Sequence, residues 1–227
     1  MNESSDTIYN DLWKAAQHQF SQGTHSIDPY LDTKEDLRRG VTLLARPDDN
    51  IITRIQDFQD RLRELEPNQY YYPAPDVHLT VLSIISCHKG FLPNKFDASG
   101  HIELIQSCLS DPIEVMLRGV TASPSGVLVQ GFSDKNELNS LRDRLRTAFR
   151  SSHLENTIDK RYKINTAHLT VMRFRKPMTN PQKVLNLLNI MRGDSFGKMK
   201  IHDLHLVSND WYQSAKKVNE LNTFKLG

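Results

Sequence analysis

The chain has 227 residues, 38% of them apolar and 25% charged, with 10 glycines and 10 prolines, which excludes collagen-like, low-complexity and wholly disordered classes. Lys and Arg total 29 against 27 for Asp and Glu, and a net charge of +2 is too mild for a protein that coats duplex nucleic acid. Two cysteines, Cys87 and Cys108, are too few for a disulfide framework or a cysteine-based metal site, and the length suits one large or internally doubled domain.

The N-terminus shows no basic segment followed by an apolar one, and no stretch approaches the length of a membrane span, so a cytoplasmic protein is expected. Within residues 5–22, Ile8, Leu12, Trp13, Ala16 and Phe20 recur at helical spacing and Gly23 suits a helix stop. Residues 24–38 read as a polar linker. Residues 1–38 are therefore expected to be an appended helix and linker packed on a main domain of residues 39–227, because a solitary amphipathic helix is marginal in water.

Val41 to Ala45 suits a buried strand. Pro47, Asp48 and Asp49 open a helix whose Ile52, Ile55, Phe58, Leu62 and Leu65 keep one apolar face until Pro67. After the aromatic loop Tyr70 to Tyr72, the run VHLTVLSII reads as a strand. Residues 99–109 make a short helix ended by Asp111 and Pro112, and Ile113, Val115 and Leu117 alternate with polar neighbours in a strand to about Thr121.

Pro124, Ser125 and Gly126 form a turn, and the order repeats. Val127 to Gly131 is a strand, Leu138, Leu141, Leu145 and Phe149 line a helix, and INTAHLTVMRF is a strand. Asn180 then caps a helix with Pro181 at its first position, and IHDLHLV is a strand. The tetrapeptide HLTV stands at the same place in each half, at 78–81 and 168–171. This predicts a duplicated lobe, about 40–121 and about 126–226, with residues 218–226 adding an edge strand.

Residues two apart on a strand share a face, so His78 and Thr80 point one way, and His168 and Thr170 do the same. A pseudo-two-fold axis would set the two pairs across one cleft. That arrangement suits phosphoester chemistry at a ribose 2′/3′ edge: a neutral imidazole takes a proton from the attacking oxygen, an imidazolium gives one to the leaving oxygen, and hydroxyls stabilise the phosphoryl oxygens. No metal or other cofactor is expected. A single HxT is weak evidence, and ordinary strand residues would explain it; an identical HLTV at the matching point of a repeat is much harder to obtain by accident.

Two HxT motifs about a hundred residues apart in a duplicated lobe resemble the 2H phosphoesterase superfamily, which includes the RNA 2′-5′ ligase-like cyclic phosphodiesterases. The resemblance covers about residues 40–226. It implies an α+β, duplicated bilobal fold with two antiparallel sheets around a central cleft and helices packed outside. By the same resemblance His78 and His168 are catalytic, Thr80 and Thr170 bind phosphate, and a 2′,3′-cyclic phosphate is hydrolysed to a 2′-phosphate, or a 2′-5′ linkage cleaved, without metal. The family's frequent arginine five residues after the second histidine corresponds to Arg173; the first motif has Ser83 at that offset. A cyclic dinucleotide or a non-catalytic nucleotide- or RNA-binding role are the alternatives.

In a regular strand Arg173 lies opposite His168 and reaches the phosphate only through a bulge; otherwise it is a solvent-facing arginine beside Arg175 and Lys176. Phe174 shares His168's face and, with Tyr72 and Trp211, is a candidate for stacking on a base, packing in the core being the alternative. His202 and His205, three apart on a strand, fall on opposite faces and do not share a metal. Arg142, Arg146 and Arg150 form a helical stripe, read as a solvated face or an RNA-tracking one. The expected partner is a nucleotide or RNA terminus as substrate, for a monomer with no protein partner and no membrane association.

Overall fold

The computed structural model describes residues 4–33, 35–109, 111–133 and 135–227. Helix α1 spans Ser5–Gln22, capped by Ser4, whose side chain accepts from Thr7 N, and ended by Gly23 at φ 66°. A positive φ favours glycine, which has no Cβ to clash. Its inner face carries Tyr9, Trp13, Ala16 and Phe20, all buried. Each large side chain contributes roughly 1.5–3 kcal/mol of gross burial, enough to hold a helix that would fray alone. Ile8 and Leu12 are only half-buried, and Tyr9 takes the inner position instead.

The remaining elements follow in the order β1 (Arg39–Ala45), α2 (Asp49–Leu65), β2 (Tyr70–Tyr71), β3 (Leu79–His88), α3 (Ser99–Ser107) and β4 (Ile113–Ser123). The second half runs β5 (Gly126–Phe132), α4 (Glu137–Arg150), β6 (Ala167–Arg173), α5 (Pro181–Ile190), β7 (Ser195–Ile201), β8 (Asp203–Asp210) and β9 (Asn219–Lys225). Asp48 caps α2 by accepting from Ile51 N at 2.9 Å. Asn180 makes no such side-chain cap; the buried carboxylate of Glu66 accepts from Asn180 N and Thr179 Oγ1 and closes the start of α5 instead. Among the described residues no helix is long and apolar enough to cross a membrane.

Among the described residues nine strands pair antiparallel in the order β7-β4-β5-β6-β3-β1-β8-β9, with β2 added to β6. The two expected sheets are thus the halves β7-β4-β5-β6 and β3-β1-β8-β9, joined by a single residue pair, Leu79 with Leu169. The fold is the expected α+β one, with a large curled antiparallel sheet. The duplication is visible as matched positions: β1 with β5, α2 with α4, β3 with β6, α3 with α5, and β4 with β8.

Three features differ from expectation. The third strand of each repeat crosses over: β4 pairs with β5 and β7, and β8 pairs with β1 and β9. The sheet halves therefore do not coincide with the expected lobes 40–121 and 126–226: one half takes β4 from the first repeat, and the other takes β8 and β9 from the second. Pairing partners are chosen in space, and the short turn at Pro124–Ser125 sends β4 back as a hairpin with β5. Strand β7, with Gly197 at φ 113° interrupting its alternation, has no counterpart among the expected elements. Tyr70 and Tyr71, expected in a loop, pair with Arg173 and Met172 as β2.

Candidate active site

The site grows from the pairing of Leu79 with Leu169, both fully buried beneath the sheet join. An antiparallel register through this pair sets His78 across from Thr170 and Thr80 across from His168. All four side chains, with Arg173, Ser83, Tyr72 and Trp211, line one cleft.

Immediately after each HLT the ladder skips a residue. On β3, Thr80 pairs with Leu44 and Leu82 with Leu43, so Val81 is extra; on β6, Thr170 pairs with Leu128 and Met172 with Val127, so Val171 is extra. A bulge reverses the side-chain parity beyond it. Val81 and Leu82 are consecutively buried, as are Val171 and Met172, and Ser83 and Arg173 return to the cleft face. This is the bulge that brings Arg173 onto the face of His168. Gly126 lets β5 follow it, since a Cβ there would lie 2.4 Å from the Met172 carbonyl oxygen.

A bulge leaves backbone carbonyls off the ladder, and buried carbonyls need partners. The Val81 carbonyl accepts from Arg142 Nε at 2.8 Å, and Arg142 Nη2 donates to the carbonyls of Thr80 at 2.9 Å and Thr166 at 3.0 Å. The Val171 carbonyl accepts from Gln59 Nε2 at 2.9 Å and from Tyr72 N at 3.1 Å. Arg142, from α4, and Gln59, from α2, are buried polar side chains that clamp the two motif strands from behind.

Each histidine uses Nδ1 toward the residue two before it. His78 Nδ1 stands 2.7 Å from the Asp76 carbonyl oxygen, which can only accept, so Nδ1 carries hydrogen and Nε2 is left for the cleft. His168 Nδ1 stands 3.0 Å from Thr166 Oγ1. Burial lowers both pKa values to about 4; the guanidiniums of Arg46 and Arg173 add to this at His78, and Arg142, His78 and Arg173 at His168. Both rings are therefore neutral at pH 7. Arg173 Nε donates to the Tyr72 hydroxyl at 2.8 Å, which aims the guanidinium beside the histidines.

The family model described as the 2′-5′ RNA ligase superfamily matches residues 47–212, which carry both motifs. The chain belongs to this superfamily. Three solved structures share the superfamily fold with it. TT0787 of Thermus thermophilus superimposes with a TM-score of 0.61 at 16% identity, over 82% of this chain and 97% of that one. E. coli LigT complexed with 3′-AMP gives 0.55 at 14% identity, over 83% and 98%. A conserved protein of unknown function from Agrobacterium tumefaciens, ATU0111, gives 0.56 at 13% identity, over 88% and 94%. No curated protein matches the chain. Helix α1 lies outside the residues matched by the superfamily model.

Of the candidates beyond the two motifs, the superfamily cleft in this chain takes in some and leaves out others. Phe174, expected as a stacking surface, is fully buried against Phe20 and His25, 5.2 and 4.8 Å between ring centroids, because the bulge that turns Arg173 in turns Phe174 out. Tyr72 lines the cleft but is only 2% exposed, and serves as Arg173's hydrogen-bond acceptor; its ring offers almost no surface to a base. Trp211 lines the cleft with the guanidiniums of Arg38 and Arg161 over its ring at 4.8 and 4.5 Å.

Two of the three arginines of the α4 stripe face inward, while Arg150 is exposed as a solvated face would have it: Arg142 clamps the motif strands, and buried Arg146 holds Asp159 at 2.8 Å and the Ile164 carbonyl at 2.8 Å. Arg146 thereby fixes the 151–166 segment, whose Asp159, Arg161, Tyr162 and Ile164 also line the cleft. Sequence reasoning missed Arg142 and Gln59 as supports. Their signal is a polar residue on an apolar helix face: Arg142 falls between Leu138 and Leu145, and Gln59 between Ile55 and Leu62.

Proposed function

We propose that the chain is a metal-independent phosphodiesterase that opens a nucleotide or RNA 2′,3′-cyclic phosphate to a 2′-phosphate. The observation that carries this reading is the reciprocal placement of two His/Thr pairs across one cleft, with Arg173 beside them. Water attacks phosphorus while one histidine Nε2 takes its proton; the P–O3′ bond breaks, and the other histidine, as imidazolium, protonates the departing 3′ oxygen. Thr80, Thr170 and Arg173 donate to the non-bridging oxygens as negative charge builds there. Neutral rings at about pKa 4 supply the base readily. The acid is charged by the substrate, since a phosphate anion between the rings favours imidazolium and raises its pKa. The pH limb of kcat accordingly lies above the corresponding limb of kcat/KM. That LigT has been crystallised with 3′-AMP is in keeping with a nucleotide ligand.

A second reading draws on a neighbouring chamber of about 550 Å³, walled by Ile8, Leu12 and Lys163, that meets the first at His168, Thr170 and Arg173. A phosphate flanked by space on both sides suits a 2′-5′-linked oligonucleotide. The deciding experiment is incubation with adenosine 2′,3′-cyclic phosphate, 2′-5′-linked ApA and a cyclic dinucleotide, in EDTA, with product analysis. Adenosine 2′-phosphate from the first is the expected outcome; faster cleavage of the dinucleotide selects the second reading. Tight binding without turnover of any of the three rejects both.

A further inference from the structure

Two guanidiniums lie over the ring of Trp211, and only one of them is neutralised. Arg38 Cζ stands 4.8 Å from the ring centroid and Arg161 Cζ 4.5 Å. Arg38 is a committed cation: its Nε and Nη2 donate to the Asp36 carboxylate at 2.8 and 2.7 Å, and it also lies over Tyr30 at 4.2 Å. Arg161 has no such partner; among the described residues its guanidinium makes no hydrogen bond or ion pair. The acid nearest to it in sequence, Asp159, has its oxygens taken by Arg146 Nε and Nη2 at 2.8 and 3.3 Å. Trp211 thus holds a planar cation by its face and leaves the N–H groups at its edge free.

Arg161 lines both the motif cleft and the neighbouring chamber, a position it shares with His168, Thr170 and Arg173. The chain on either side of it is anchored. Thr157 N donates to the Ile84 carbonyl at 2.8 Å, Thr157 Oγ1 accepts from Ser86 N at 2.7 Å, and Arg146 Nη2 donates to the Ile164 carbonyl at 2.8 Å. A long side chain stacked on a ring and rooted in a braced segment gives up less freedom when it binds an anion. The anion that suits the meeting point of the two chambers is the phosphate between the histidines.

We propose that Arg161 is a second phosphate-binding guanidinium, donating to the phosphoryl oxygens from the 151–166 segment as Arg173 does from β6, and that Trp211 is its bed rather than a surface for the base. The proposal deepens the phosphodiesterase reading and rests on it for its chemistry: paired N–H groups fit two non-bridging oxygens and stabilise the charge that builds there.

The test is calorimetric binding of inorganic phosphate to wild type, Arg161→Gln, Trp211→Leu and the double variant, in EDTA. Inorganic phosphate carries no base, so a tryptophan that only stacks on a base leaves its affinity unchanged. Arg161→Gln should weaken phosphate about tenfold and Trp211→Leu about fivefold, with the double variant within about twofold of Arg161→Gln, because both act through one guanidinium. Arg150→Gln, which removes an exposed charge from α4, should stay within about twofold of wild type. Phosphate affinity in folded Arg161→Gln that is unaltered, or lowered no further than in Arg150→Gln, overturns the proposal, as does a wild type that binds no phosphate. Should Trp211→Leu not fold, Arg161→Lys reads the stacking instead, since it keeps the charge and loses the planar face; full phosphate affinity there overturns the role given to Trp211. Wild type that binds phosphate through Arg161 but turns over no phosphodiester rejects the phosphodiesterase reading and leaves the phosphate site standing.

Discussion

Leu79 and Leu169, the second residue of each HLTV, are partners in the one residue pair that, among the described residues, joins the two halves of the sheet. The pseudo-two-fold axis passes beside them, so each histidine is placed by its own strand and faced by the other strand's threonine. Two sets of identical residues 90 positions apart in sequence thereby line one cleft.

That reciprocity predicts equal consequences for the two threonines. Thr80→Val and Thr170→Val keep a β-branched side chain suited to a strand and remove only the hydroxyl. Each should lower kcat by about tenfold to a hundredfold, as expected for loss of one donor to a developing charge, with little change in melting temperature. Steady-state kinetics beside thermal denaturation checks this, and a large effect at only one of the two would mean the phosphate does not sit between the halves.

Arg142 should matter to both fold and chemistry. Arg142→Met strands the carbonyls of Thr80, Val81 and Thr166, at a cost of at least about 3 kcal/mol. It also removes a positive charge that holds the His168 pKa down. His168 should then titrate higher, moving the acidic limb of kcat/KM upward; a limb that stays in place would show that Arg142 acts on the backbone alone.

The motif residues were legible because HLTV is printed twice at matching places, and strand parity alone puts each histidine and threonine on one face. Arg173 was legible only through the family resemblance and only on condition of a bulge: the carbonyl of that bulge, at Val171, is held from behind by the Gln59 amide and Tyr72 N, which no local pattern encodes. Phe174 failed as a stacking surface for the same reason, one residue further on. The exchange of β4 and β8 between halves is likewise a matter of spatial pairing, while Arg142 and Gln59 could have been found as polar residues at apolar helix positions.

Tyr72 is predicted to act on substrate binding. Tyr72→Phe leaves the ring packed against Tyr70, 5.2 Å between centroids, but takes away the acceptor that aims Arg173. An increase in KM of about three- to tenfold, with a smaller change in kcat, is the expected pattern for one charge-assisted hydrogen bond. Unchanged KM would place Arg173 outside the phosphate contacts.

Stability should fall on mild acidification. His78 and His168 are held at about 4 against an ordinary 6.5, so as pH drops through 6.5 the unfolded chain takes up protons before the folded one. The contribution is intact above pH 6.5 and is lost progressively between 6.5 and 4, to a limit of about 3 kcal/mol per ring. Urea denaturation at about pH 7.5, 5.5 and 4.5 should show a steeper loss for wild type than for the double variant His78→Gln, His168→Gln. Parallel losses would mean that other groups govern the acid response.

The most direct test of the two-histidine mechanism is kcat for His78→Ala, His168→Ala and the double variant on whichever substrate of the panel wild type turns over, with folding verified by circular dichroism. Each single variant should lose about 10²- to 10⁴-fold, and the double variant little more than the worse single, because acid and base act in one step. Folded single variants that keep activity within tenfold of wild type would contradict it.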